Sequence, residues 1–130
     1  MEFENDDRCF VCGSRNAQGL RLRFELVGVG EIRTVFTPAK RFQGFKGVVH
    51  GGILATVLDE VMVNAVWLRG RAAVTGKLEV RLKQPARVGE TLEVRGRILK
   101  ESGRTIEAES QVLRRDGTVI AEGRGVLVKV

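Results

Sequence analysis

The chain has 130 residues, 43% hydrophobic and 29% charged, which is the balance of one globular domain. Its formal net charge of +6 favours an anionic partner, either a nucleic acid or a phosphorylated small molecule. Of these two we expect no nucleic acid, because the chain has one Trp and no Tyr to stack on bases. Charged residues interrupt the longest apolar stretch and no signal-peptide pattern is visible, so we expect a cytoplasmic protein without a membrane span.

We expect one domain over residues 1–130, with a turn-rich N-terminal extension over residues 1–19. Cys9 and Cys12 form a single CxxC pair in this extension. Zinc usually takes four ligands, and no second cysteine pair or nearby histidine is present in the sequence. We therefore expect a structural turn with reduced thiols and no metal. Redox chemistry, or a site completed by another subunit, is the alternative.

Strand patterns occupy most of the remaining chain. Residues 20–26 alternate between apolar and charged side chains, and residues 31–36 are predicted to be the hairpin partner. Turn sequences, including Asp116-Gly117, then separate four further strands. These strands are predicted at about 73–83, 90–100, 104–114 and 118–129.

A single helix is predicted between the two groups of strands, after a glycine-punctuated loop over 39–50. Its apolar residues recur with helical period from Gly51 or Gly52 to about Arg69, and Gly70 is the expected C-cap. One helix packed in the curl of one antiparallel sheet of about six strands is the economical α+β architecture.

The predicted helix has two apolar faces. The face expected to pack on the sheet consists of Ile53, Leu54, Val57, Leu58, Val61 and Ala65. The second face consists of Gly51, Ala55, Asp59, Met62 and Val66. Among apolar neighbours an ionised carboxylate costs free energy unless it is paired or hydrogen-bonded. Asp59 is therefore either a structural carboxylate, satisfied by a hydroxyl or an arginine, or a functional one.

The start of the helix also suggests chemistry. Unpaired backbone N–H groups and the positive end of the helix dipole lie there, and Gly51 and Gly52 have no Cβ to keep a ligand oxygen away. A carbonyl that gains negative charge during acyl transfer would be stabilised at such a place. The alternative is that the glycines only permit the bend into the helix. We expect His50 to fix the loop by hydrogen bonding, because nothing pairs it with a nucleophile.

The stretch QGFKGVVHGGILATVLDE, residues 43–60, resembles the signature of hotdog-fold acyl-CoA thioesterases of the phenylacetate-pathway type. That signature is a glycine-rich loop, His-Gly-Gly, and an Asp nine residues after the His. The resemblance covers about residues 20–130, and CFVCGSRNAQGLRLRF is similar to the N-terminal extension of one branch, which has Asn-Pro where Asn16-Ala17 stands. It implies a hotdog fold and hydrolysis of an acyl- or aryl-CoA to free acid and CoA, with no cofactor.

The resemblance also implies roles for individual residues. The Gly51 N–H would polarise the thioester carbonyl, Asp59 would be general base or nucleophile, and Thr75 would orient water or the carboxylate. Many members carry Asn or Gln one residue later than Gln43, where this chain has Gly44, so the role of Gln43 stays open. The catalytic candidates are His50, Gly51, Asp59 and Thr75. The candidates for substrate binding are Gln43, Gly52 and, as contacts of the CoA phosphates, Arg69, Arg71, Lys83 and Arg87.

Gly51 and Asp59 lie about 12 Å apart along one helix and cannot both contact one thioester carbon. If two copies of the helix pack antiparallel about a two-fold axis, Gly51 of one copy faces Asp59 of the other, with Ala55 at the axis. We therefore predict a homodimer or a dimer of dimers with shared sites, whose interface also buries Met62 and Val66. The alternative functions are a non-catalytic acyl-CoA-binding protein and an enoyl- or hydroxyacyl-CoA dehydratase.

Overall fold

A computed structural model describes residues 3–130, so the first two residues of the predicted extension lie outside the described residues. The elements in chain order are β1 (Glu25–Gly28), β2 (Glu31–Phe36), a 3-10 turn (Lys40–Phe42), α1 (Gly51–Trp67), β3 (Ala73–Leu82), β4 (Leu92–Ser102), β5 (Thr105–Leu113) and β6 (Val119–Lys129). The strands form one antiparallel sheet in the spatial order β1-β2-β4-β5-β6-β3.

The helix α1 lies in the curl of this sheet and contacts β2, β3, β4, β5 and β6. Its predicted sheet-facing residues are buried except Ile53, which is partly buried. The helix and the sheet approach closely at Gly96 of β4, where a Cβ would lie 3.0 Å from the carbonyl oxygen of Val61. The predicted α+β hotdog architecture is therefore confirmed. Residues 3–130 contain no helix that is both long enough and apolar enough to cross a membrane.

The first predicted strand, residues 20–26, is wrong in its extent, because β1 begins only at Glu25. The backbone before it pairs with the CxxC turn: Leu20 N–H donates to the Phe10 carbonyl, and Leu22 N–H donates to the Val11 carbonyl. Arg21 between them has a φ of 52°, which breaks the extended conformation. The alternation still marks burial correctly at Leu22, which lies in the core.

The second helix face also differs from its prediction. Met62 and Val66 are 0% and 1% exposed, packed against Ala73, Ile106 and other side chains of the chain's own sheet. They cannot be part of an interface between two copies. The sheet closes over the C-terminal half of this face, because β3 returns along it. The N-terminal part of the predicted face remains half-exposed; it consists of Gly51, Ala55 and Asp59.

The strand β3 lies at one edge of the sheet. A β-bulge interrupts its pairing with β6 between Thr75 and Lys77. Three large apolar side chains of this strand, Val74, Leu78 and Leu82, are between 38% and 52% exposed. A long edge strand that carries exposed apolar side chains invites pairing with another chain.

Candidate active site

His50 caps the start of α1 and leaves one backbone donor free. Its Nδ1 accepts a hydrogen bond of 2.9 Å from Gly52 N–H, and its carbonyl oxygen accepts one of 2.9 Å from Ile53 N–H. Within residues 3–130 the Gly51 N–H makes no hydrogen bond. It is an unpaired donor at the positive end of a 17-residue helix, the kind of group that stabilises an oxyanion.

A mostly apolar groove of about 610 Å³ opens beside this donor. His50 and Gly51 lie on its wall at the helix start, and Lys83 contributes a cation. Phe45, on the loop before the helix, is 87% exposed. The apolar lining consists mainly of Phe45, Val48, Val49, Leu54, Leu82 and Pro85. The groove is thus suited to an apolar chain that carries a carbonyl oxygen at its end near Gly51.

Asp59 and Thr75 form the second polar part of the site. The Thr75 hydroxyl donates a hydrogen bond of 2.6 Å to Asp59 Oδ1, and both side chains are half-buried. Thr75 stands at the bulge in β3, and bulges commonly redirect a side chain at functional sites. The carboxylate of Asp59 is thus hydrogen-bonded by a hydroxyl, one of the two partners expected from the sequence. Its second oxygen, Oδ2, is left for another partner.

The two parts do not meet within one chain. Gly51 lies at the helix start, and Asp59 lies two turns further along; the groove beside Gly51 is lined by neither Asp59 nor Thr75. Gly51 and Asp59 nevertheless lie on the same half-exposed stretch of the helix, on either side of Ala55. A second copy of this stretch is what could bring a carboxylate to the unpaired donor.

The predicted substrate-binding residues near the helix start have different positions. Gln43 braces the preceding loop, because its Oε1 accepts a hydrogen bond of 3.1 Å from Gly47 N–H. Lys83 lines the groove, with its Nζ 3.4 Å from Glu122. Arg87 is exposed on the loop that pairs with Val48 of the groove wall.

The other two predicted cations, Arg69 and Arg71, lie beyond the opposite end of the helix. Both contact Glu101, at 3.5 Å and 2.9 Å, and Lys129 contacts the same carboxylate. The hydrogen bond from Lys129 and the charges of the two arginines hold the pKa of Glu101 below its usual range. Within one chain these arginines belong to a surface ion-pair cluster rather than to the groove.

The CxxC pair contacts the helix through the residue after Asp59. Glu60 Oε1 accepts hydrogen bonds from Cys12 Sγ at 3.0 Å, from Cys9 Sγ at 3.5 Å and from Asn64 Nδ2 at 2.9 Å. Burial and the neighbouring Glu60 carboxylate raise the pKa of the Cys12 thiol. Within residues 3–130, one group of three His, Cys, Asp or Glu side chains has atoms spaced closely enough to hold a metal ion. That group is Cys9, Cys12 and Glu60.

Comparison with known proteins places this geometry in a family. The family model of the thioesterase superfamily matches residues 46–121, more than half of the chain. The chain belongs to the thioesterase superfamily. The matched segment begins at residue 46, in the loop before α1, and ends in β6, so it includes Gly51, Asp59 and Thr75. No curated protein matches the chain.

One solved structure agrees with this membership in the superfamily, and two others share the fold. The crystal structure of a thioesterase superfamily protein is 31% identical and has a TM-score of 0.85; the match covers 91% of this chain and 61% of that one. The smu.793 protein of Streptococcus mutans, bound to acetyl-CoA, is 17% identical with a TM-score of 0.78, over 84% of this chain and 88% of that one. PaaI of Escherichia coli, from the phenylacetic acid degradation operon, is 19% identical with a TM-score of 0.79, over 85% and 80%. The last two likenesses are evidence of fold alone.

Two features of this thioesterase-superfamily chain were missed from its sequence. The first is that Phe45 and Leu82 line the groove. The glycines of the loop around Phe45 were the one sequence signal that its side chain is exposed. The contact between Glu60 and the two cysteines joins positions up to 51 residues apart, and nothing in the local sequence points to it.

Proposed function

We propose that this chain is an acyl-CoA thioesterase that hydrolyses an acyl- or aryl-CoA to the free acid and CoA. The observation that carries the proposal is the unpaired Gly51 N–H at the start of α1, beside an apolar groove. Membership of the thioesterase superfamily supports the reaction class. The acetyl-CoA bound by the Streptococcus mutans relative supports a thioester of CoA as the substrate.

The Gly51 N–H would act on the thioester carbonyl. As the carbonyl carbon is attacked, its oxygen gains negative charge, and a donor fixed in place before the reaction stabilises that charge without reorganising. The His50 cap supports this role because it satisfies Gly52 N–H and thereby holds the first turn in position. His50 is in this account a positioning residue, and Gly52 permits the close approach.

Asp59 would activate the attacking water as a general base, or attack the carbonyl itself as a nucleophile. The Thr75 hydroxyl donates to Oδ1, which fixes the carboxylate rotamer and leaves Oδ2 to accept a proton from water. Thr75 therefore has a positioning role. As a general base, Asp59 takes a proton from the attacking water, the C–S bond breaks and CoA leaves as the thiolate, which takes up a proton. As a nucleophile, Asp59 bonds to the carbonyl carbon, the C–S bond breaks in the same way, and water then hydrolyses the acyl-carboxylate anhydride.

The complete site would be shared by two copies of the chain. The half-exposed helix stretch centred on Ala55 and the exposed apolar side chains of the β3 edge support a homodimer in which the two β3 strands and the two helices run antiparallel. In that arrangement Gly51 of one copy and Asp59 of the other face one thioester, so each dimer holds two sites. A dimer of dimers would preserve the same pairs.

The phosphates of CoA would contact cations near the groove. Lys83 is favoured because it lines the groove, and Arg87 because it is exposed on the neighbouring loop. Arg69 and Arg71 are engaged with Glu101 beyond the other end of their own helix, so any contact they make with CoA would come from the partner copy. Gln43 would act indirectly, through the loop that it braces.

We expect the purified protein to release free CoA thiol from at least one member of a panel of short, branched, long and aryl acyl-CoAs. The reason is that the unpaired donor and the groove together provide carbonyl activation and a place for an apolar acyl group. The measurement is continuous detection of the released thiol with a thiol reagent. A blank without substrate establishes that the reagent does not react with the protein's own cysteines.

The same panel separates the alternatives. Hydration of an enoyl-CoA without thiol release would identify the protein as a dehydratase and not a thioesterase. Tight binding of acyl-CoA, measured calorimetrically, with no turnover of any substrate would indicate a non-catalytic binding protein. Either of these results overturns the proposed activity.

A further inference from the structure

The turn that carries the two cysteines has the geometry of a metal-binding knuckle. Val11 N–H donates to Cys9 Sγ at 3.4 Å, and Gly13 N–H donates to the Cys9 carbonyl at 2.9 Å. A Cβ on Gly13 would lie 2.4 Å from the backbone nitrogen of Cys9, so only glycine fits after the second cysteine. A backbone N–H directed at a sulfur stabilises a thiolate, which is the form of cysteine that ligates metals.

We propose that Cys9, Cys12 and Glu60 bind one zinc ion. Tetrahedral zinc with Zn–S bonds of about 2.3 Å and a Zn–O bond of about 2.1 Å places its ligand atoms about 3.6 to 3.8 Å apart. The Glu60 Oε1 atom lies 3.0 Å from Cys12 Sγ and 3.5 Å from Cys9 Sγ, and all three atoms lie within 4.8 Å of one another. To admit the ion, the Cys12 Sγ–Glu60 Oε1 distance of 3.0 Å must lengthen by about 0.6 Å, and the Cys9 Sγ–Glu60 Oε1 distance of 3.5 Å already fits.

The ligand set favours zinc over other divalent ions. Two thiolates exclude the hard ions magnesium and calcium, and a carboxylate with two thiolates suits borderline zinc better than copper(I). The three ligands face a groove of about 370 Å³, which leaves room for a water molecule in the fourth position. Binding replaces the proton of each thiol by the metal, so two protons leave for each zinc ion bound.

The bound ion would fasten the N-terminal extension to α1. Cys9 and Cys12 precede and follow Val11, which is buried in the main core, and Glu60 is the neighbour of Asp59 on the helix. The site is separate from the proposed thioester chemistry, since Asp59 itself accepts the hydrogen bond of Thr75. This proposal revises the expectation of metal-free thiols, because the third ligand comes from a helix distant in sequence.

The proposal is tested on the full chain, purified under reducing conditions without chelator. We expect about one zinc per chain by mass spectrometry of the metal. After the metal is removed, addition of cobalt(II) should give the visible absorption of a tetrahedral thiolate site, and addition of zinc should protect both cysteines from a thiol reagent and raise Tm. Cys12→Ser should abolish the cobalt spectrum, and Glu60→Gln should raise the Kd for zinc by at least about tenfold.

Asp59→Asn is the matched control, since it neutralises the adjacent carboxylate and should keep the zinc. If Cys12→Ser does not fold, the cobalt spectrum and thiol protection of the wild-type chain decide the matter. A reduced, metal-free and folded wild-type chain that takes up neither zinc nor cobalt overturns the proposal, and the cluster is then only a thiol–carboxylate hydrogen-bond network. Equal zinc affinity in Glu60→Gln and wild type overturns the role of Glu60.

Discussion

Asp59→Asn should lower kcat for acyl-CoA hydrolysis by at least about a hundredfold, with KM close to that of the wild type. The amide has the size of the carboxylate and keeps an oxygen to accept the hydrogen bond of 2.6 Å from Thr75, so the fold and the local geometry should persist. What the amide cannot do is accept a proton from water or attack a carbonyl carbon. The loss therefore falls on the chemical step.

Steady-state kinetics on the best substrate of the panel measure this effect. The matched control is Glu107→Gln, which also converts a carboxylate to an amide, but at an exposed position on the outer face of β5. It should behave as wild type. A single turnover in heavy-oxygen water then tests the nucleophile route: if water attacks the Asp59 carbon of an anhydride, the heavy oxygen enters the protein and the first product carries an oxygen of Asp59. An unchanged kcat in Asp59→Asn would remove this residue from the mechanism.

Gly51→Pro should lower kcat by about a hundredfold to a thousandfold, the effect of removing one oxyanion donor. Proline has no N–H, and it is well tolerated as the first residue of a helix, the position that Gly51 occupies. The residue before it, His50, has φ −59° and ψ 132°, a conformation compatible with a following proline. The substitution therefore deletes the proposed donor with little change of backbone.

Gly51→Ala provides the comparison for this variant. Both substitutions add a Cβ that would lie 2.8 Å from Leu82 Cδ1, the end of a flexible and half-exposed side chain, but alanine keeps the N–H. Gly51→Ala should retain most of the activity. If alanine and proline lower kcat equally while circular dichroism indicates folded protein, crowding rather than the lost donor explains the effect.

Local sequence signals predicted most of the fold. The turn at Asp116-Gly117, where the glycine has a φ of 89°, separates β5 from β6 as expected, and the last four strands begin and end within about two residues of their predicted bounds. The position of β3 at the far edge of the sheet was not predictable, since no local pattern states which strands become neighbours. Residues 20–24 were mispredicted because their partner is the CxxC turn rather than β2.

Helical periodicity located the site but not its surroundings. It placed Gly51, Ala55 and Asp59 on one face with Met62 and Val66, and of that face the first three residues are left half-exposed. The same pattern assigned Met62 and Val66 to an interface, whereas the sheet buries them. Periodicity gives the direction of a side chain around the helix axis, and it carries no information on how far a curved sheet extends along that axis.

The shared site is tested most directly by mixing two inactive chains, Gly51→Pro and Asp59→Asn, and allowing their subunits to exchange. In a mixed dimer one site carries both defects and the other carries neither. With equal amounts and random exchange, half of the dimers are mixed and each has one intact site, so about a quarter of wild-type activity per chain should return. Verified mixed dimers that stay inactive, while each parent is folded, would contradict a site built from Gly51 of one copy and Asp59 of the other.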